Sequence, residues 1–421
     1  MGASKKPPFS ATPSAGRESV AAEEALLLPE HAGPAAPAGG GSPSVLGAVF
    51  NVSTSVVGAG IMSIPAAMRV LGVAPAAALI AGAAVLAGAA TGFLLRHTRG
   101  APSYAALMGD AFGRAGAALL NVFVAANAVG TMTVYLIIVA DVIERFGANS
   151  LRFTSAISIL LAVVFMLISL GIAVYALFKG TATMPRMLPD FSRLSSPFEL
   201  FTAVPVIVVA FTFHFNVHPI RAELSKASDM KAAVRISLVL CAAIYAAVGF
   251  FGLLLFGDAT MADVLANFDR SSGAGVPQAL NDAARLSYAL HLVLVFPLLF
   301  FSLRVNVDEL LFPGRRPLAA DTRRFVSLTA VLMAVLYALA IAIPSIWTLF
   351  EYSGSTFAVT ISLIFPGAIV LRDVRGIAKR KDKALAATMI ILAVVTSSIA
   401  IASNIMNSIR DKVRGGHEAS R

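Results

Sequence analysis

Ten long stretches of almost uncharged, apolar residues constrain this chain more than any other feature of its sequence. A helix needs about 20 apolar residues to cross a bilayer, where it satisfies its backbone hydrogen bonds within the segment. The stretches lie at about residues 45–69, 73–96, 115–145, 153–178, 198–219, 233–256, 284–303, 325–345, 347–371 and 385–407. With 57 % hydrophobic and only 13 % charged residues, the 421-residue chain is too apolar for a soluble globular protein. The sequence therefore predicts an all-α polytopic membrane protein with about ten spans in a lipid bilayer.

The predicted transmembrane domain covers residues 44–408 and has a tail on either side. Residues 1–43 are rich in Ala, Pro, Gly and Ser, so we expect a disordered N-terminal tail without a core. A compact apolar region followed by a cleavage site does not precede residue 44, and a cleaved signal peptide is therefore not expected. Residues 409–421 are predicted to form a short C-terminal tail.

The first apolar segment contains residues that interrupt helices. Gly58 and Gly60 lie inside it and Pro65 follows, although an interior helical position loses about 1 kcal/mol with Gly and about 3 kcal/mol with Pro. Freed backbone groups are tolerated at membrane depth only where the protein buries them or where they line a cavity. One interpretation is an unwound point whose amides bind a carboxylate and whose carbonyls bind an ammonium group. The alternative is that the glycines only allow a neighbouring helix to pack closely.

The fifth apolar segment is interrupted as well. Prolines and polar side chains occur at Pro205, His214, Asn216, His218 and Pro219. Polar residues are unfavourable inside a membrane and are therefore candidates for function. Two interrupted spans in different halves of a chain indicate a transporter whose binding site lies between two structural repeats.

Charge in the connectors predicts their side of the membrane. The net charge of +10 comes from short basic clusters beside the apolar spans, which is typical of cytosolic loops and gives no reason to expect a nucleic-acid partner. The basic connectors at 96–114, 221–235, 304–324 and 372–383 are predicted to be cytosolic. The connector at 257–285 carries four Asp against two Arg and is predicted to lie on the other side.

In the first half of the chain, the predicted sides of the connectors do not alternate as this rule requires. Two cytosolic connectors must be separated by an even number of spans, but only three segments lie between residues 114 and 221. Either one span is missing or one segment fails to cross. We expect the second half to keep its orientation, with a segment between 115 and 197 that does not cross and a vacancy beside the 115–145 helix.

Four stretches of the sequence resemble the amino acid/auxin permease family, whose members share an amino acid transporter transmembrane domain. The plant vacuolar-type branch, related to the sodium-coupled neutral amino acid transporters, is the most similar. The stretches are residues 50–68 (FNVSTSVVGAGIMSIPAAM), 213–224 (FHFNVHPIRAEL), 256–268 (FGDATMADVLANF) and 296–304 (FPLLFFSLR). The resemblance covers about residues 44–407. It implies eleven helices in an inverted-repeat fold, five plus five plus one, with the first and sixth family helices broken at the substrate site.

The chain departs from that family in one place. Relatives have a further span before residue 151, where this chain has only residues 143–150. The resemblance thus identifies the missing span as the fourth family helix. A splice form, a gene-model error or a true ten-helix protein would each explain the gap.

By position, ten residues of the two interrupted segments would surround the backbone of an amino acid. They are Ser53, Thr54, Gly58, Ala59, Gly60, Ile61, Phe213, His214, Phe215 and Asn216. The glycines suit the carboxylate, and carbonyls near Thr54 and Phe213 suit the ammonium group. His214 is predicted to couple or gate transport because imidazole titrates near pH 6.5, and Tyr135 is predicted to gate the site. The alternatives are a histidine that only hydrogen-bonds carbonyls and a tyrosine that only packs in the core.

Other chemistries are not expected from the sequence. His214 and His218 are spaced i, i+4, but the neighbouring spans supply no third ligand, so neither a metal nor another cofactor is predicted. An enzyme is not predicted because there is no intramembrane Ser-His, Asp-Asp or metal constellation. The only cysteine, Cys241, excludes an intrachain disulfide.

The predicted function is secondary active transport of neutral amino acids by symport or antiport. Sodium-coupled relatives place hydroxyl or amide oxygens in the eighth family helix, whereas residues 291–297 here offer no hydroxyl, which favours H⁺ over Na⁺ as the coupling ion. A vacuolar or other endomembrane is expected rather than the plasma membrane. The alternatives are an amino-acid sensor or receptor that uses the same pocket, and a variant that cannot transport.

Overall fold

The computed structural model describes residues 45–418 except 99–100, 102, 147–154, 183, 193–195, 270–276, 314, 317 and 344. The predicted tail at 1–43 lies outside the described residues. Within the described part, the chain forms helices, turns and irregular segments and no β-strand. This confirms the predicted all-α class.

Fourteen α-helices follow one another along the described chain. They are α1 (Val45–Val56), α2 (Gly60–Leu71), α3 (Val73–His97), α4 (Tyr104–Phe146), α5 (Ser155–Lys179), α6 (Ala203–Ala210), α7 (Val217–Glu223), α8 (Met230–Phe256), α9 (Val264–Asp269), α10 (Gln278–Leu311), α11 (Thr322–Ala342), α12 (Ile346–Ser353), α13 (Phe365–Arg372) and α14 (Arg380–Glu418). Short 3₁₀ turns lie at Pro197–Thr202, His214–Asn216, Ala227–Asp229, Gly257–Ala259 and Leu318–Ala320, and π-helical turns lie at Gly354–Ala358 and Thr360–Ile364.

Eight helical units of the described residues are long and apolar enough to cross a membrane, and the bent pair of α1 and α2 makes a ninth. The predicted segment that is not among these spans is the fourth, 153–178. It corresponds to α5, a 25-residue helix whose part from Val163 to Lys179 is a shorter apolar helix by the same criteria. The prediction of about ten spans therefore goes slightly beyond the spans found. α14 continues through 409–418, the first part of the predicted C-terminal tail.

Ion pairs and hydrogen bonds bring two predicted cytosolic connectors to one face. Arg96 at the end of α3 pairs with Asp382 at the start of α14, with 3.0 Å between Nη1 and Oδ2. Arg375, between α13 and α14, donates to Asp110 of α4 over 2.6 Å. We call this side the basic face.

The two interrupted spans also meet at the basic face. The ring of His218 in α7 lies 3.1 Å from the Thr98 hydroxyl, just after α3. Asn51 of α1 donates to the carboxylate of Glu223, the last residue of α7, over 2.9 Å. The first span therefore starts at the basic face and the fifth segment ends there, so the two run in opposite directions.

The remaining turns lie at the opposite face. The backbone N–H groups of Val73 and Ala74 each donate over 3.0 Å, to the carbonyls of Arg186 and Met187. Arg186 pairs in turn with Asp258 over 2.6 Å. The acidic connector after α8 thus lies across the membrane from the basic connectors, as the charge pattern predicts.

α4 and α5 run in the same direction. α4 carries Asp110 at the basic face and Tyr135 at the first break, so its last turns lead to the opposite face. α5 also ends near the opposite face, because the seven residues from Lys179 to Arg186 span at most about 25 Å. Consecutive spans normally alternate, and no described residue crosses back between these two.

The expectation that one segment between 115 and 197 fails to cross stays a prediction. α4, which is kinked at Gly113, is a candidate span, whereas α5 is found only as a shorter apolar helix from Val163 to Lys179. Their parallel orientation accounts for the charge parity, and the later helices keep the orientation predicted from their connectors. The sequence gap falls between them, at residues 147–154, which lie outside the described part.

Burial differs sharply between spans. Ten of the twelve residues of α2 are buried, whereas only 17 % of the apolar window of α11 is buried inside the protein. The broken first span therefore lies at the centre of the bundle. α11 presents most of its surface to the surrounding lipid.

Candidate functional site

The two helix breaks lie side by side in the middle of the bundle. α1 and α2 meet at an angle of 61° across residues 57–59, and α6 ends at Ala210 before an irregular stretch at 211–213. The hydroxyl of Tyr245 in α8 contacts both breaks, at 2.7 Å from the Val56 carbonyl oxygen and 2.9 Å from the Ala210 carbonyl oxygen. Residues far apart in the sequence are thus held together at one point.

A cavity of about 50 Å³ opens at the two breaks. Six of the residues singled out from the sequence line it, namely Thr54, Gly58, Ala59, Gly60, Phe215 and Tyr135. Helices α4 and α10 form the other walls, and Phe350 of α12 lines it as well. The space is enough for a few water molecules, since one water needs about 10–15 Å³.

The glycines of the first break provide room rather than unusual backbone angles. Neither Gly58 nor Gly60 has a positive φ, so the backbone conformation alone would allow a side chain at either position. A Cβ atom on Gly60 would lie 3.0 Å from both Cα and Cβ of Ala210. A Cβ atom on Gly58 would lie 2.5 Å from the Tyr135 hydroxyl oxygen. Bare backbone is therefore needed where the two breaks and α4 approach one another.

Tyrosine hydroxyls satisfy the carbonyls that the first break frees. Tyr288 of α10 donates to the Gly58 carbonyl over 2.7 Å, and Tyr245 donates to that of Val56. Tyr135, the predicted gating residue, is buried with its hydroxyl next to the Gly58–Ala59 backbone. No local signal in the sequence identified Tyr245 and Tyr288, because each is a single tyrosine in an apolar helix.

At the second break, the predicted residues point in different directions. Phe215 lines the cavity, but Phe213 and His214 are fully buried in the core behind it. A ring nitrogen of His214 lies 3.3 Å from the Ala87 carbonyl oxygen of α3, and the other has no hydrogen-bond partner among the described residues. The N–H of Asn216 donates to the carbonyl of Phe213 over 2.9 Å. The imidazole thus lies against α3, on the side away from the cavity.

Ile61 and Ser53 do not line the cavity. Ile61 is 2 % exposed and packs in the core of α2. The Ser53 hydroxyl oxygen is buried, and the Thr54 hydroxyl donates to the Phe50 carbonyl within α1. Ser53 and Thr54 therefore lie on the polar side of α1 and also contribute to its packing.

On α4 and α10, four polar residues that line the cavity were not predicted from the sequence. They are Asn127 and Thr131 of α4, and Ser302 and Asn306 of α10. Asn127 is 4 % exposed, and its amide oxygen has no hydrogen-bond partner among the described residues. Buried amide oxygens are rarely left unpaired, so this one is available to a donor in the cavity. Asparagine in an otherwise apolar span was a signal that could have identified it.

Coupling to H⁺ rather than Na⁺ stays a prediction. Residues 291–297 lack a hydroxyl, and α10 lines the cavity with Val295, Leu299, Ser302, Leu303 and Asn306. The hydroxyl and amide oxygens that α10 contributes to the cavity therefore lie about two turns beyond Val295.

Comparison with known proteins agrees with this architecture. The family described as "Transmembrane amino acid transporter protein" matches residues 41–170 and 148–410, and its two matches overlap at residues 148–170. Amino acid transporter AVT6C of Arabidopsis thaliana is 45 % identical over 406 residues, covering 86 % of this chain and 93 % of that protein. Sodium-coupled neutral amino acid transporter 7 of Bos taurus is 25 % identical and covers 82 % of this chain and 83 % of its own length.

A solved structure shows the same fold in a distant protein. The crystal structure of the Eremococcus coleocola manganese transporter superposes with a TM-score of 0.51 at 14 % sequence identity, covering 88 % of this chain and 89 % of that one. The matched family covers nearly all of the described helices and both breaks. The chain belongs to the transmembrane amino acid transporter protein family.

Proposed function

We propose that the chain carries neutral amino acids across a membrane by secondary active transport, with the cavity at the two breaks as the substrate site. One observation carries this proposal. Two broken spans that run in opposite directions meet at one cavity, where the glycine backbone is not covered by side chains. The amides of residues 58–60 would hold the carboxylate, and carbonyls of the two breaks, with the unpaired amide oxygen of Asn127, would hold the ammonium group.

The preference for neutral amino acids is supported by the lining of the cavity. Its described residues include hydroxyl, amide, aromatic and aliphatic groups and no Asp, Glu, Lys or Arg. A charged substrate side chain would lose its hydration there without gaining an ion-pair partner. The two charges of the amino acid backbone would instead be compensated by the broken helices.

We propose H⁺ rather than Na⁺ as the coupling ion, and a vacuolar or other endomembrane as the location. The similarity to the vacuolar-type branch in the sequence supports this choice. His214, the coupling residue predicted from the sequence, would act through the second break, because its ring lies against Ala87 rather than in the cavity. Tyr135, beside the Gly58–Ala59 backbone, would gate the first break.

A second function, amino-acid sensing without turnover, is favoured by the parallel orientation of α4 and α5. Alternating access requires one part of the scaffold to move against another. A scaffold that lacks one crossing would still bind substrate at the intact breaks. Binding without transport would then be expected.

Counterflow in proteoliposomes tests both functions. Purified protein is reconstituted with unlabelled neutral amino acid inside, and uptake of labelled amino acid is measured beside saturable binding to the detergent-solubilised protein. A transporter gives binding and transient accumulation above protein-free vesicles. Binding without counterflow would support the sensor, and absence of both would overturn the proposed site.

A further inference from the structure

Glu351 in α12 is a buried acidic residue that the site described above does not use. Its side chain lies inside the span formed by residues 346–372, and the residue is 7 % exposed. The carboxylate oxygen Oε1 accepts a hydrogen bond from Nε1 of Trp347 over 2.5 Å, and the Thr202 hydroxyl also contacts the carboxylate. Among the described residues, no basic side chain pairs with it.

The elements packed against α12 offer Glu351 no compensating charge. Tyr135 is the titratable residue on the part of α4 that approaches α12, while α6 carries none and α14 carries none between residues 392 and 406. The other nearby titratable side chains are Glu199, on the turn before α6, and Tyr352, which is 40 % exposed. An ionised carboxylate in such surroundings is strongly unfavourable, so the group holds a proton unless its environment changes.

The position of α12 connects this carboxyl group to the substrate cavity. Phe350, the preceding residue, is 1 % exposed and lines the cavity. One turn later, Gly354 lies so close to the Pro205 carbonyl of the second broken span that no Cβ atom would fit. On the other side, a Cβ atom on Gly130 of α4 would lie 3.1 Å from the Ser353 hydroxyl oxygen. α12 is thus wedged between the broken span and the long helix α4.

The helix is also irregular immediately after Glu351. Two π-helical turns follow, at Gly354–Ala358 and Thr360–Ile364, and the hydroxyl of Ser355 donates to the Glu351 carbonyl over 2.6 Å. π-helical turns are rare and occur frequently at functional sites. Glu351 lies five residues into α12, about 8 Å from its start near the opposite face. A proton arriving from that side would meet this carboxyl group before it reached the breaks.

We propose that Glu351 is a proton-binding group of the transport cycle in addition to the coupling residue His214, and that loss of its proton changes how α12 packs between the second broken span and α4. The chemical step is the exchange of one proton between the carboxyl group and water. This inference rests on the proposed function in assuming that transport is coupled to protons. The assignment of the carboxyl group can nevertheless be tested without any transport.

Trp347 provides a direct optical test, because it is the only tryptophan in the chain and its indole N–H donates to Glu351. Intrinsic fluorescence of the purified full-length protein is titrated with pH for the wild type, for E351Q and for the control E199Q, which removes a nearby carboxyl group. We expect a sigmoidal fluorescence change in the wild type and in E199Q, and its loss in E351Q. The same transition in E351Q would overturn the proposal, whatever the protein transports.

Proteoliposomes then connect the carboxyl group with coupling. Labelled neutral amino acid is followed both in counterflow and in accumulation driven by an imposed pH gradient. E351Q should reduce accumulation at least tenfold more than counterflow, and E351D, which restores a carboxyl group, should recover part of the accumulation. Equal loss of both activities in E351Q, with no recovery in E351D, would contradict a coupling role. Absence of wild-type counterflow would instead reject the transport function and leave the fluorescence titration to decide the proton site.

If E351Q does not fold, E351D carries the optical test. It retains a titrating group that is one methylene shorter, so the midpoint of the fluorescence change should move. An unchanged midpoint would count against Glu351.

Discussion

The two helix breaks meet at one cavity but are built from opposite kinds of residue. The first break consists of small residues, and its carbonyls are satisfied by tyrosine hydroxyls from α8 and α10. The second break carries aromatic rings and histidines, and its histidines contact α3 and Thr98, which follows α3. The first is therefore the side where a ligand can approach bare backbone, and the second is the side that fixes the broken span to its surroundings.

This difference follows from the space available at each break. Gly60 faces the backbone of Ala210, which cannot move aside, whereas His218 fills the space between Thr98 and the ring of Tyr104, 6.3 Å away between centroids. Substitutions at the first break should therefore affect binding, and substitutions at the second should affect stability.

The largest effect is expected from G60V. Its Cβ atom would lie 3.0 Å from backbone and side-chain carbons of Ala210, and the added methyl groups would occupy the space between the breaks. We expect saturable amino acid binding to be lost while the protein still inserts and elutes as a single species. G82V is the control, because a Cβ atom on Gly82 of α3 meets nothing within 4 Å. Normal binding by G60V would contradict the role of the first break.

Removing the hydroxyl that joins the breaks should have the next largest effect. Y245F loses the single hydroxyl proton that the Val56 and Ala210 carbonyls share, and a net hydrogen bond contributes about 1 kcal/mol. We expect affinity for the amino acid to fall about tenfold, together with a lower Tm. Y175F, which changes a tyrosine that is 40 % exposed on α5, should leave both unchanged. Equal effects of the two substitutions would show that the tie between the breaks has no special role.

A double-mutant cycle can sharpen the role of Tyr135. G58A places its Cβ atom 2.5 Å from the Tyr135 hydroxyl oxygen, so we expect a several-fold loss of affinity. Y135F removes that oxygen, and the double variant should bind as well as Y135F alone. If the losses of affinity in the two single variants add up in the double variant, the residues act independently and the steric explanation for Gly58 is wrong.

A substitution of His218 tests whether the second break affects stability rather than binding. H218A removes the contact with Thr98 and the stacking on Tyr104, and we expect a decrease in the free energy of unfolding of about 1–2 kcal/mol. Amino acid affinity, measured well below Tm where the variant is folded, should remain within about twofold of the wild-type affinity. A loss of affinity without a loss of stability would remove the distinction between the two breaks.

The smallest effect is expected far from both breaks, at the basic face. The hydrogen bond from Lys383 holds the pKa of Asp373 below its usual value of 3.8, with further help from the N–H groups of Ala378 and Ile377. A lowered pKa means that the carboxylate stabilises the fold at neutral pH and that this stabilisation disappears as the pH falls through the folded pKa. D373N, which keeps an oxygen acceptor, should lower Tm slightly at pH 7 and not at pH values below the usual aspartate range. A difference in Tm that persists at low pH would contradict the charge account.

Much of this arrangement was predictable from local sequence. Gly58, Gly60 and the polar run from His214 to His218 indicated both breaks because such residues are unfavourable in an ordinary span. The alternating charge of the connectors indicated the two faces. Both signals are local, so they can be recognised without any knowledge of packing.

Other features depend on contacts that the sequence does not encode locally. Tyr245, Tyr288 and Asn127 acquire their roles only when α8, α10 and α4 pack around the breaks. The direction of His214 toward α3 rather than the cavity depends on the rotation of one short 3₁₀ turn. The parallel course of α4 and α5 required the contacts at both faces. Charge parity alone left open whether a segment failed to cross.

The most direct test is a high-resolution structure of the wild-type protein with a bound neutral amino acid. The account predicts that its carboxylate lies within hydrogen-bonding distance of the amides of residues 58–60 and that its ammonium group lies beside carbonyls of the breaks and the Asn127 amide oxygen. Ligand density elsewhere in the bundle, or a carboxylate held by side chains away from the first break, would contradict the central claim that the two breaks form the substrate site.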